Sequence, residues 1–253
     1  MKRWLAAELL LLTLLAAAAG AVVAWRVGDW GWNWDALNHH IYLGLTAESP
    51  RWQLDVVAVN TQVYQYPYLY WPIYRIAMMS GSGLHMAMAW AAMQAALLLP
   101  PVWLMAHRLL TPQEVDPWQA MLQRAAACAL AAMNGVLVLG INLSSNDLLA
   151  TLPLVWAIAL HLGAPESDRR AALCAALWGM STAFKWSNGL MLPVLLVWWW
   201  QRTRPHFPLR RGLALALGAA SGFGLTYAPW GWQLWQATGN PFFPYFQAIF
   251  GGY

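Results

Sequence analysis

Charge is scarce in this chain. Only 9% of its 253 residues are Asp, Glu, Lys or Arg, against about a quarter in an ordinary soluble domain. That scarcity excludes a soluble enzyme class. Cysteine is nearly absent as well. Cys128 and Cys174 both lie inside apolar runs with no clustered Cys or His nearby, which excludes a disulfide framework and a thiolate metal site. There is no internal repeat and no separate polar domain.

What fills the space is apolar. The chain is 60% hydrophobic with 19 tryptophans, and several windows approach the roughly 20 apolar residues that cross a bilayer. The expected fold is all-α: a polytopic transmembrane helix bundle of about seven spans, with a long first outer loop containing interfacial helices. It is read as a single membrane domain over residues 1–253, either entire or the N-terminal core of a longer protein.

The opening MKRW and its apolar continuation to Ala24 resemble a signal peptide. The run is longer than the usual 7–15-residue apolar region and further spans come after it. An uncleaved first span over residues 4–26 is therefore expected, then an outer loop over 27–83, then the remaining spans over 84–253. These are about 84–106, 124–141, 148–163, a hairpin over 171–200 with FKWSNG at its outer tip, and 212–235. Lys2, Arg3, Arg108, Arg124, Arg169, Arg170, Arg202, Arg204, Arg210 and Arg211 flank apolar runs in loops of one side. By the positive-inside rule that side is cytoplasmic, with the N-terminus in it. No nucleic-acid partner is needed to explain these charges.

Acids gather on the opposite side: Asp29, Asp35, Glu48, Asp55 and Asp147, together with Arg51, Arg75 and Lys185. Polar groups converging at one membrane surface suggest a site there. If WDALNHHIY is an interfacial helix, Asp35, Asn38, His39 and Tyr42 share one face, with Trp34, Leu37 and Ile41 opposite. Asp35 and His39 would then be catalytic, since a carboxylate beside an imidazole can take a proton from an acceptor hydroxyl. The competing reading is an aromatic belt with incidental polar residues. No cofactor is required, although the same pair could hold a divalent cation.

Residues 62–75, QVYQYPYLYWPIYR, hold five tyrosines and a tryptophan. They read as an interface anchor or as a stacking wall for sugar or isoprenoid, with Tyr66 among its contacts. Arg75 could bind phosphate or snorkel to the headgroups. Asn146 and Asp147 open the fourth span as helix caps or as substrate contacts. Lys185 sits between short apolar arms, and a buried ammonium there needs an anion, for which a lipid-linked phosphate is the natural candidate.

These segments resemble the integral-membrane glycosyltransferases of the C superfamily. The resemblance rests on W-D-A-L-N-H-H-x-Y after the first span, YQYPYLYWPIY, the SND loop, GMSTAFKWSNG and TGNPFFPYF. It implies transfer of a sugar from a polyprenyl-phosphate carrier to a lipid, glycan or protein acceptor at the outer face of the bacterial cytoplasmic membrane. It also implies that Asp35 is the acidic catalytic position, with Lys185 and Arg75 at the donor phosphate. A carrier or flippase of a lipid-linked sugar, or a non-catalytic subunit or fragment, is the alternative.

Overall fold

The computed structural model describes residues 2–28, 34–52, 54–55, 60–79, 81–110, 115–162, 167–203 and 208–251. Asp29 and Arg204 lie outside these. The described residues are helical and contain no strand, as the apolar composition leads one to expect.

Helix α1 (Lys2–Val27) is largely apolar apart from its ends, Thr13 and the buried Glu8, and leaves Leu10, Leu11, Leu14 and Leu15 exposed. A short π turn, Ala36–His40, runs directly into α2 (Ile41–Thr46), and α3 (Trp71–Ala77) closes the first polar segment. Then come α4 (Gly83–Leu110), α5 (Pro117–Ala132), α6 (Gly135–Gly140) and α7 (Asp147–His161). Helix α8 (Asp168–Phe184) is joined by a 3-10 turn, Trp186–Met191, to α9 (Leu192–Thr203); α10 (Leu209–Thr238) and α11 (Gln247–Phe250) complete the order.

Two helices are long and apolar enough to cross a membrane, Arg3–Val27 and Gly83–Leu109, and Asp147–His161 is a shorter apolar helix. Helix α10 has 30 residues, but its glycines, tryptophans and two N-terminal arginines dilute its hydropathy. Of the roughly seven spans expected from sequence, two are matched among the described residues by helices long and apolar enough to cross on their own.

One boundary differs from expectation for a clear reason. The charge pattern places Arg124 in a loop preceding a span at 124–141. In the structure α5 begins at Pro117, behind Asp116, whose carboxylate accepts from the Trp118 N–H at 2.8 Å. This is an N-cap with proline at the first helical position. The helix ends at Ala132, and Asn134 caps α6 by accepting from the Val136 N–H. Arg124 is thus inside a helix, and it is buried.

Helices α1, α4, α7, α8 and α10 pack successively side by side, with α5 against α4. The tightest junction is α8–α10. A Cβ placed on Gly218 would overlap the backbone of Ala172, one on Gly222 that of Ala176, and one on Gly179 that of Ala219. Small residues at such spacing let helix backbones touch. Gly222→Leu should therefore destabilise the fold by about 1–3 kcal/mol or more, because the obstacle is backbone and cannot repack. Thermal unfolding in detergent checks this.

At one end of the bundle the loops build an aromatic crown. Tyr227, Trp230 and Leu234 of α10 are buried beneath Trp52, Tyr64, Tyr66, Tyr68 and Trp186. The Trp230 indole N–H donates to the Tyr64 carbonyl at 3.1 Å, fastening the tyrosine-rich segment to the bundle.

Candidate functional site

The aspartate of the WDALNHHIY motif stands at the entrance to the π turn. A π turn holds more residues per turn than an α-helix and shifts the register of the residues beyond it. Here Ala36, His39, His40, Leu43 and Gly44 all face inward, while Trp34 and Leu37 are exposed. The single polar stripe expected from a regular helix is consequently divided. Asp35 stays half-exposed and lies 3.7 Å from Nδ1 of the buried His39, close enough for an ion pair but too far for a hydrogen bond. The Asn38 amide turns back to donate to the Trp34 carbonyl at 2.7 Å. The Tyr42 hydroxyl donates to Asp55, which also pairs with Arg51.

His40, to which sequence reasoning gives no role, is the more deeply engaged of the two histidines. Its ring stacks on Tyr70 at 5.0 Å, meets His39 edge-on at 4.2 Å, and its Nδ1 lies 2.7 Å from the Ser144 hydroxyl. Burial holds both imidazoles below the ordinary histidine range, outweighing the Asp35 carboxylate, which pulls the other way. His40 is brought down to about 4, with the neighbouring His39 and the Lys185 ammonium adding to the effect.

That shift has a consequence for stability. Between pH 6.5 and about 4 the unfolded chain takes up a proton at this position and the folded chain does not. Stability linked to His40 is present above the unfolded value and is lost as pH falls through this window. The midpoint of thermal unfolding should therefore fall from pH 6.5 towards pH 4, and His40→Asn should flatten that slope.

His40 meets Ser144 in the loop that leads to Asp147, and Asp147 pairs with Lys185, so the hairpin tip and the π turn share one neighbourhood. Lys185 ends α8 and pairs with Asp147 at the start of α7. Its position is set by a polar pin below it. The Ser181 hydroxyl donates to the Ala150 carbonyl at 2.6 Å, and the Asn188 amide donates to Ser181 Oγ at 2.9 Å and to the Ala150 carbonyl at 3.1 Å. Serine and asparagine on either side of the lysine are visible in GMSTAFKWSNG, but nothing in their spacing shows that they bond each other.

Beside Lys185 opens a cleft of about 210 Å³ lined by Tyr66, Asn146, Trp186, Tyr227 and Tyr245 among others. Asn146 is buried, yet its side chain makes no capping bond. The capping expected of it is absent, and the residue faces the cleft instead. The Tyr66 hydroxyl, pushed up to about 12 by burial and by Tyr68, stays protonated as a donor. Trp186 also forms one wall of a second, wholly apolar cup with Phe223, Phe242, Phe246, Ile249 and Phe250.

Of the residues singled out from sequence, Asp35, His39, Tyr66, Asn146, Asp147 and Lys185 therefore gather at one end of the bundle. Arg75 does not join them. Its Nε lies 2.6 Å from Glu48, which also accepts from the Trp71 indole at 2.7 Å, and its guanidinium lies over the Trp71 ring. Asn38 and Tyr42 likewise turn to partners outside the cleft. Asp35 and His39 offer two donors to a cation, and among the described residues no group of three or more His, Cys, Asp or Glu gathers to hold one. No protein-family model, curated protein or solved structure matches this chain.

Proposed function

We propose that the protein is a membrane glycosyltransferase that moves a sugar from a polyprenyl-phosphate carrier to a lipid, glycan or protein acceptor. The observation that carries this reading is a juxtaposition: the π turn that bears the half-exposed Asp35 is joined through His40 and Ser144 to the loop whose Asp147 holds the half-exposed Lys185 ammonium, and Lys185 lines a cleft that shares Trp186 with an apolar cup. An amphiphile fits that sequence of surfaces. Its phosphate would meet Lys185, its sugar the tyrosines and Asn146, and its chain the phenylalanines and the surrounding lipid.

In this reading the chain is a polytopic bundle of about seven spans in the bacterial cytoplasmic membrane, with the N-terminus inside and the cleft at the outer face. Helices too short or too polar to cross alone, such as α8 and α9, would do so as parts of the packed bundle. The acceptor hydroxyl attacks the anomeric carbon and forms the new glycosidic bond. The bond to the phosphate oxygen breaks, and its electron pair leaves with the polyprenyl phosphate. Asp35 takes the acceptor's proton. Lys185 exchanges Asp147 for the phosphate and stabilises the charge that develops there. Neutral His39 adds no positive charge beside Asp35 and so leaves its carboxylate free to accept.

The test is transfer in liposomes from a mixed pool of polyprenyl-phosphate sugars to lipid, glycan and peptide acceptors. Turnover with release of polyprenyl phosphate supports the reading. Well-folded protein that gives no transfer, but exchanges labelled carrier between leaflets, would replace it with a lipid-linked-sugar carrier.

A further inference from the structure

The loop between α6 and α7 carries Asn146 and leads into Asp147, the partner of Lys185. It is tied down at three successive places. The Gln94 amide donates to the Ile141 carbonyl and the Trp90 indole to the Leu143 carbonyl, each at 2.9 Å. The third tie comes from the other side, where His40 meets Ser144. Both of these residues are buried, at 6% and 3% exposure. His40 belongs to the same π turn that Asp35 opens, and stacking on Tyr70 holds its ring flat. A rigid ring on a short irregular turn thus joins the element bearing the carboxylate to the loop bearing the lysine's counter-ion.

We infer that His40 is a positioning residue: through Ser144 it sets where Asn146 and Asp147 stand, and so fixes the Lys185 ammonium relative to the Asp35 carboxylate. The inference rests on the transferase reading. His40 touches neither donor nor acceptor; its ring is enclosed by Tyr70, His39 and the loop. What it governs is alignment. In a displacement that must place a base on one side of the anomeric carbon and a cation at the leaving oxygen on the other, a shift of about 1 Å can cost about 100-fold. Such a loss falls on kcat rather than on donor affinity, because the donor still finds Lys185 and the cleft.

The experiment compares His40→Leu, His40→Asn and Ser144→Ala with the natural protein in liposomes. It measures kcat, donor KM and the thermal midpoint of each. Asparagine puts a polar atom where Nδ1 stands, so it can keep the bond to Ser144, whereas leucine cannot; both lose the ring stack. The expected result is a 10- to 100-fold fall in kcat for His40→Leu and Ser144→Ala. Donor KM should stay within about twofold, and His40→Asn should recover much of the loss. Ser144→Ala, which removes a single atom, keeps the comparison meaningful if His40→Leu fails to fold. Turnover that tracks only the folded fraction, or His40→Asn as poor as His40→Leu, overturns the positioning role while leaving the transferase reading intact. A natural protein with no turnover overturns both.

Discussion

Asp35→Asn should abolish sugar transfer while leaving the protein folded. The substitution keeps the shape of the side chain and removes its ability to accept a proton, and loss of a general base costs about 10²–10⁴-fold. The fold should tolerate the change because the native side chain has little structural work. It is half-exposed, makes no capping bond, and stands 3.7 Å from His39, whose buried ring is held neutral, so no ion pair is lost with the charge. The measurement is kcat in liposomes beside a thermal unfolding curve on the same sample. Normal unfolding with lost turnover assigns the carboxylate to chemistry. Retained turnover removes Asp35 from the reaction and with it the central element of the proposed mechanism.

How much of this site can be read from sequence depends on whether a feature is local. That Lys185 needs an anion is legible, because it is an isolated cation between two apolar arms; the partner in the structure is Asp147 rather than the lipid phosphate expected there. The aromatic crown is legible because alternating tyrosines cannot all be buried in a bundle of helices. The pairing of His39 with Asp35 at i, i+4 is legible, but the burial of His39 and His40 is not. A π turn inserts extra residues into the 3.6-residue period, so any helical wheel drawn from Asp35 onward misassigns the residues beyond it. That wheel puts Asn38 and Tyr42 in the site, yet both face elsewhere. Arg75 reads as a free cation because Glu48 is distant in sequence and periodicity says nothing about such pairs; the arginine and the glutamate satisfy each other. The α5 boundary is a different kind of miss. Asp116-Pro117 is a local helix-start signal, but the positive-inside count groups Arg124 with the loops.

Arg124 is also the basis of the largest expected effect on stability. Its Nε donates to one oxygen of Glu8 at 2.7 Å and an NH2 group donates to the other at 2.5 Å, while the Trp103 indole donates to the first at 2.9 Å. Both charged side chains are almost wholly buried, at 6% and 4% exposure, and His107 stacks on Trp103 at 5.3 Å beside them. This network ties α1, α4 and α5 together around a single carboxylate. A buried pair adds little over an apolar replacement, but removing one partner strands the other charge and costs about 3–5 kcal/mol. Against a total stability of about 5–15 kcal/mol that is a large fraction. Glu8→Leu alone should strand the guanidinium, and Arg124→Leu alone should strand the carboxylate; each should sharply lower the thermal midpoint in detergent. Glu8→Leu with Arg124→Leu should regain most of the loss, since leucines fill the space without a charge to desolvate and leave only the Trp103 N–H without its acceptor. A double variant no better than the worse single would mean that the network matters through shape and hydrogen bonding rather than through charge pairing. In every case transfer per folded molecule should be unchanged, because these residues belong to a different part of the bundle from Asp35 and the cleft beside Lys185.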